Sequence, residues 1–260
     1  MDDTNAASAP STRPFPSFWW SIIWIILYFA GQLLISMLAY GVAAARDPEL
    51  VKAFLDPRTK TDPNFIMPYI AVPTLWALVI SGLLFFFGIW LYLRKDDRLT
   101  QIGLMQWSRL PFLHTLGLGA ALIGGATVFN IGFGEVLTYY FGPGFEPQDA
   151  VLKLLSGIDP TPLNITLRFA AVALIAPLAE ELLFRGLLQK SLMNKMGPTA
   201  AIWLAALLFA GAHMQLYATP MLMVLGAAFG YLYYKTGSLR TNIALHMINN
   251  AAALLMLPSS

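Results

Sequence analysis

Apolar positions in this chain fall into runs too long for the interior of a water-soluble domain, and the polar positions collect between them. Seven runs predict membrane-spanning helices at about 18–45, 65–93, 111–141, 165–193, 199–214, 220–234 and 239–257, the fifth of them short. Residues 46–64 alternate charges of both signs with prolines and predict a solvated loop. Arg94-Lys95-Asp96-Asp97-Arg98 ends the second span in water. The next segment, Leu99 to Arg109, mixes Leu99, Ile102, Leu104, Met105 and Trp107 with polar residues and predicts a short helix lying at the interface. Gly117, Ala121 and Gly125 at four-residue spacing predict a close helix approach on the third span, and Gly226 with Gly230 makes a second such row on the sixth. Residues 1–17, rich in Ser, Pro and Ala, read as a disordered tail, and residues 142–164 as a loop around an apolar patch from Ala150 to Leu155. The expected fold class is all-α: a polytopic transmembrane helix bundle of about seven spans with short interfacial helices, in one membrane domain whose N-terminal spans occupy 18–164 and whose core occupies 165–257.

Composition narrows the class. The chain is 57% hydrophobic and only 12% charged, about half the charge of an ordinary soluble domain. A formal charge of +2 gives no footprint for nucleic acid. With no cysteine, disulfides and thiol catalysis are excluded. The first apolar run is too long for the core of a signal peptide and reads as an uncleaved span. Nine Lys/Arg fall on the side shared with the N-terminus against six on the other, which predicts a cytoplasmic N-terminus.

Candidate chemistry lies where polarity interrupts the apolar runs. Glu180, Glu181 and Arg185 stand inside the fourth span, where each charge at a helix centre opposes insertion by roughly 2.5–3.5 kcal/mol. Glu181 and Arg185 are four apart and share a face, so they can pair. Glu180 points about 100° away and has no opposite charge within its own helix. The fifth span carries Phe209 and His213, and the seventh carries His246 and Asn250, again at helical spacing. Two of the three histidines of the chain therefore lie in these spans, with residue types suited to activating a water and stabilising an oxyanion. Gly132-Phe133-Gly134-Glu135 lacks the aspartate of an aspartyl intramembrane protease motif and is assigned no role.

The order Glu180-Glu181-x-x-x-Arg185, Phe209-x-x-x-His213, His246-x-x-x-Asn250 on successive helices resembles the CAAX prenyl endopeptidase and bacteriocin-processing family of intramembrane proteases. The similarity covers about residues 165–255. It implies that Glu180 is the general base on a water, assisted by His213, and that His246 with Asn250 forms an oxyanion site. Glu181 and Arg185 are then a structural ion pair, and Phe209 packs beneath the site. The implied partners are the lipid bilayer and a membrane-associated protein or peptide substrate, with no nucleic acid. No cofactor is expected: Glu, His, His and Asn could bind zinc, but the HExxH pattern is absent and a metal-free glutamate reaction is favoured. A multi-pass protein of the cell membrane, in a bacterial inner membrane, is the expected setting. The competing reading is a non-enzymatic bacteriocin-immunity or scaffold protein that keeps the polar core for stability.

Overall fold

The computed structural model describes residues 15–143, 145, 154–156 and 158–256. Most of the proposed disordered tail, and most of the Ala150 to Leu155 patch, lie outside these. Among the described residues helices are the only regular secondary structure, with no strand. Helix α1 (Phe18–Arg46) is followed by two short helices, α2 (Pro48–Leu55) and α3 (Arg58–Thr61), and by a 3₁₀ turn at Pro63–Ile66. Then come α4 (Met67–Leu93), the single turn α5 (Arg98–Gln101) and α6 (Phe112–Phe141). Three of these helices, α1, α4 and α6, are long and apolar enough to cross a membrane. At 27–30 residues each they extend about 40–45 Å, enough to span the hydrocarbon core and enter both headgroup layers. Their outer faces are apolar: Leu33, Leu34 and Met37 on α1, and Val128 and Ile131 on α6, are exposed. Such a surface suits lipid rather than water.

Helix α7 (162–193) is the axis of the bundle. It opens on Pro162, with the Thr161 hydroxyl accepting from the Asn164 amide, and changes character along its length. Pro162–Arg168 is α-helical and Phe169–Ile175 is π-helical. Ala176–Glu180 returns to α, Glu181–Gln189 is π again, and Lys190–Met193 closes in α. Pro177 has no amide hydrogen to give to the preceding turn, and the first wide segment ends just before it. All nine residues of the second π segment are buried, because α1, α8, α9 and α10 pack around it. The main core gathers Leu182, Leu183, Phe184, Leu187 and Leu188 of α7 with Phe85 and Ile89 of α4, Phe209 of α8 and Tyr233 of α9.

Helix α8 (Pro198–Ala212) follows a tight turn and pairs with α9 (Thr219–Thr236), and α10 (Leu239–Leu255) packs back on the first π segment. The 15 residues of α8 cover only about 22 Å, short of the roughly 30 Å hydrocarbon core. His213 caps the C-terminal end of α8.

The structure differs from expectation at residues 46–64, where the predicted loop is largely helical (α2, α3 and the 3₁₀ turn) and buries Leu50 and Ala53, and in two further places. The segment predicted as an interfacial helix over Leu99–Arg109 is helical only to Gln101. Residues 102–109 instead form a non-helical strap, turning at 102–103, that is clipped to the turn between α9 and α10. The Tyr233 hydroxyl donates to the Ile102 carbonyl (2.8 Å), Arg240 Nε to that of Leu104 (2.8 Å), and the Ser238 hydroxyl to that of Gln106 (2.7 Å). The Leu239 amide donates to the Gly103 carbonyl and the Arg109 amide to that of Thr236. A helix would have used these carbonyls in its own ladder. Gly103, at φ +76°, lies directly against the backbone of Gly237, where a side chain would not fit. Second, the row Gly117, Ala121, Gly125 makes no close approach: a Cβ added at Gly117 or Gly125 would meet nothing within 4 Å. The contact on α6 is one residue row away, at Gly119, which receives the Leu245 side chain of α10.

Candidate active site

Glu181 is fully buried and satisfied from three directions. His246 Nδ1 lies 2.9 Å from its Oε1, Asn242 Nδ2 donates to Oε2 at 3.1 Å, and Arg185 Nη1 approaches Oε1 at 3.2 Å. That last contact is an ion pair by distance, but it lacks the alignment of a hydrogen bond. Arg185 is held by other means. Its Nη2 donates to the Gly226 carbonyl at 3.0 Å, and its guanidinium lies over the Phe209 ring at 4.7 Å and near that of Phe229 at 5.8 Å. One turn on, Gln189 Nε2 donates to the Gly230 carbonyl at 2.8 Å. Glu181, Arg185 and Gln189 thus form a straight polar row. Four residues in an α-helix overshoot a full turn by about 40°, and the wider π turn removes most of that drift. The row meets Gly226 and Gly230, themselves four apart on α9.

Glu180 faces away from this row, with its side chain 17% exposed. His246 Nε2 is 3.7 Å from one of its carboxylate oxygens and His213 Nε2 is 3.9 Å from the other. Both distances exceed a direct hydrogen bond and suit a bridging water. The Nδ1 atom of each imidazole is already engaged. His213 Nδ1 is 2.8 Å from the Phe209 carbonyl, and His246 Nδ1 is on the Glu181 carboxylate. A carbonyl only accepts, so His213 carries its proton on Nδ1 and turns the lone pair of Nε2 towards Glu180. His246 is fixed in the same sense by Glu181, and its ring stacks on Phe229 at 4.5 Å. Two Nε2 atoms and one carboxylate therefore converge from three helices.

Asn250 lies one turn beyond His246 on α10, and its Nδ2 donates to the Val172 carbonyl at 3.0 Å. Val172 belongs to the first π segment. One amide hydrogen of Asn250 thus ties α10 to α7, and the second remains for another acceptor. Phe209 packs edge-on against Phe184 and His213, beneath the imidazole and over Arg185. The structure brings Glu180, His213 and His246 together around one point, and gathers Glu181, Arg185 and Phe209 behind them.

Residues 162–252 match the family model described as Rce1-like, type II CAAX prenyl endopeptidase Rce1-like. The match spans about a third of the chain. No curated protein and no solved structure matches the chain significantly. The match runs from the first residue of α7 into the last turns of α10, so it contains all three motifs and every side chain of the site. It supports an intramembrane protease of the CAAX type in general, and the exposed apolar helices agree with a membrane protein.

Two functional-looking residues of the matched segment escaped the sequence reading. Asn242 donates to both Glu181 and the Phe229 carbonyl (2.7 Å), and Gln189 holds Gly230. Each extends a recognised motif by one more interval of four, Asn242 before His246 and Gln189 after Arg185. That spacing was the signal available. Among the described residues, no group of three or more His, Asp or Glu side chains is arranged to hold a metal ion.

Proposed function

We propose that this protein is an intramembrane endopeptidase that hydrolyses a peptide bond of a membrane-associated protein or peptide through a water activated by Glu180. The observation that carries the reading is the placement of Glu180 between two imidazole nitrogens whose other nitrogens are occupied. A water held among these groups gives one proton to Glu180 as its oxygen bonds to the substrate carbonyl carbon. His213 accepts from the same water and keeps it in line. The carbonyl oxygen becomes an oxyanion, which takes the free amide hydrogen of Asn250 and, when the His246 ring is doubly protonated, its Nε2–H. Glu180 then returns the proton to the leaving nitrogen as the carbon–nitrogen bond breaks, and the products are an amine and an acid. Glu181, Arg185, Asn242 and Gln189 do no chemistry in this scheme: they fix the tautomer and position of His246 and lock α7 to α9.

The reaction takes no metal in this proposal. Were a zinc ion required, Glu180, His213 and His246 would be the residues to hold it, and a chelator would abolish turnover. The setting is a bacterial inner membrane with the N-terminus in the cytoplasm.

Terminomics of membranes from cells expressing wild type or Glu180→Gln at matched levels tests the proposal. The variant keeps shape and loses the base. New protein termini should appear with wild type and fall by about 10²–10⁴-fold with Glu180→Gln, and EDTA should leave them unchanged. Equal termini from a folded variant would point instead to an immunity or scaffold protein.

A further inference from the structure

A second polar cavity lies far from Glu180, at the end of the bundle where the strap crosses α7 and α9. It has a volume of about 420 Å³ and is lined by Thr100, Gly103 and Gln106, by Arg109, by Lys190 of α7 and by Tyr233 and Gly237 at the end of α9. Lys190 is ten residues from Glu180, which is about 15 Å along the helix. The cavity is therefore separate from the proposed catalytic centre. Among the described residues no Asp or Glu lines it.

The other cations at this end are occupied. Arg98 pairs with Asp96 and lies over Tyr92, and Arg240 donates to the Leu104 carbonyl and stacks on Trp107. Arg94 covers Trp90, Lys195 covers Phe18 and Lys235 covers Tyr231. Arg109 and Lys190 are different. Among the described residues neither side chain forms a hydrogen bond, an ion pair or a cation–π contact, and both line the cavity. Two like charges brought to one recess without a counter-charge repel each other, and an anion between them relieves that repulsion. The Thr100 hydroxyl and the second side-chain amide hydrogen of Gln106 supply further donors.

The surroundings indicate which anion. Trp107, Met105, Phe112 and Leu113 lie within four residues of the lining residues Gln106 and Arg109, on the strap and at the start of α6, and all are strongly exposed. Aromatic and apolar side chains around a basic recess at a helix end mark the boundary between headgroups and acyl chains. We propose that this cavity binds a phosphate group between Arg109 and Lys190, supplied by the headgroup of an anionic phospholipid. The acyl chains then run along the exposed apolar surface beside it. The site is independent of the peptidase reading.

Native mass spectrometry of the full chain in neutral detergent tests this, with an equimolar mixture of dioleoylphosphatidylglycerol and dioleoylphosphatidylcholine as the probe. Wild type should retain the glycerol lipid in preference to the choline lipid. Arg109→Gln, at an exposed side chain, should reduce that retention about fivefold, and Lys190→Gln by a similar factor. Lys195→Gln removes a cation from the same end but outside the cavity, and should change nothing. Inorganic phosphate at millimolar concentration distinguishes the source: failure to displace the lipid supports the headgroup, and full displacement with an Arg109-dependent phosphate adduct supports a soluble phosphate compound at the same site. Equal retention of both lipids, unchanged retention in Arg109→Gln, or an equal loss in Lys195→Gln would overturn the proposal. Arg109→Gln carries the test by itself if Lys190→Gln does not fold.

Discussion

Helices α6 and α9 carry the same pattern of small residues at four-residue spacing, yet only one uses it. On α9, Gly226 and Gly230 lie against α7 and α8. An added Cβ at Gly230 would sit 2.7 Å from Gln189 Oε1, and one at Gly226 would sit 3.0 Å from the Phe209 ring. On α6, Gly117 and Gly125 face open space. The difference lies in the neighbour. The row on α9 is met by a complementary row, Arg185 and Gln189, whose donors need its carbonyls. On α6, Gly117 and Gly125 are met by nothing within 4 Å among the described residues. Small residues permit close approach, and a polar partner with an unmet donor is what enforces it.

The largest test of that contrast removes the enforcing partner. Arg185→Met leaves Glu181 buried beside His246 and Asn242 without its cation, and should destabilise the fold by about 3–5 kcal/mol. Equilibrium unfolding in detergent would register this as a large drop in denaturation midpoint. Next, Gly230→Ala should cost about 1–3 kcal/mol, because Gln189 and Ile202 both stand in the way. Gly117→Ala, the same chemical change on α6, should move stability by no more than about 1 kcal/mol, in the stabilising direction that helix propensity favours. Equal losses at the two glycines would break the comparison.

The smallest effect concerns an ion pair on the exposed side of the same contrast. Arg58 hydrogen-bonds the Asp56 carboxylate through its side chain and then its backbone amide, which holds that carboxyl down at about 2. A lowered carboxyl contributes stability that is complete above its ordinary value and is lost as pH falls through the folded one. The Asp56 carboxyl resonance should therefore titrate near pH 2, and Asp56→Asn should leave the melting temperature at pH 7 nearly unchanged, since exposed pairs contribute little.

The apolar helices and the positions of the polar motifs on them were legible because each motif interrupts a strong pattern: charges inside apolar runs for α7, and His246 with Asn250 at helical spacing for α10. Glu180 was separable from Glu181 by angle alone, since only one of two adjacent residues can share a face with Arg185. The π segments were not legible. A change from four-residue to five-residue hydrogen bonding leaves no mark on the hydrophobic period over seven to nine residues, and Pro177 hints only at a disturbance. Residues 102–109 misled for another reason. Their apolar content resembles an amphipathic helix, but their carbonyls are claimed by Tyr233, Ser238 and Arg240, more than 130 residues away in sequence. No local rule contains that information. The row on α6 shows the converse, since spacing cannot say whether a partner exists.

The strap also has a consequence for biosynthesis. Its clasping residues leave the ribosome about 130 residues after the carbonyls they bind, which at ordinary elongation rates of 5–20 residues per second is a delay of roughly 7–26 s. During that interval four backbone acceptors, the carbonyls of Ile102, Gly103, Leu104 and Gln106, lack these partners. In hydrocarbon each would cost several kcal/mol, whereas at the membrane surface water serves them until Tyr233, Ser238, Leu239 and Arg240 arrive. A segment that must wait for its clasp can wait only where it is wet.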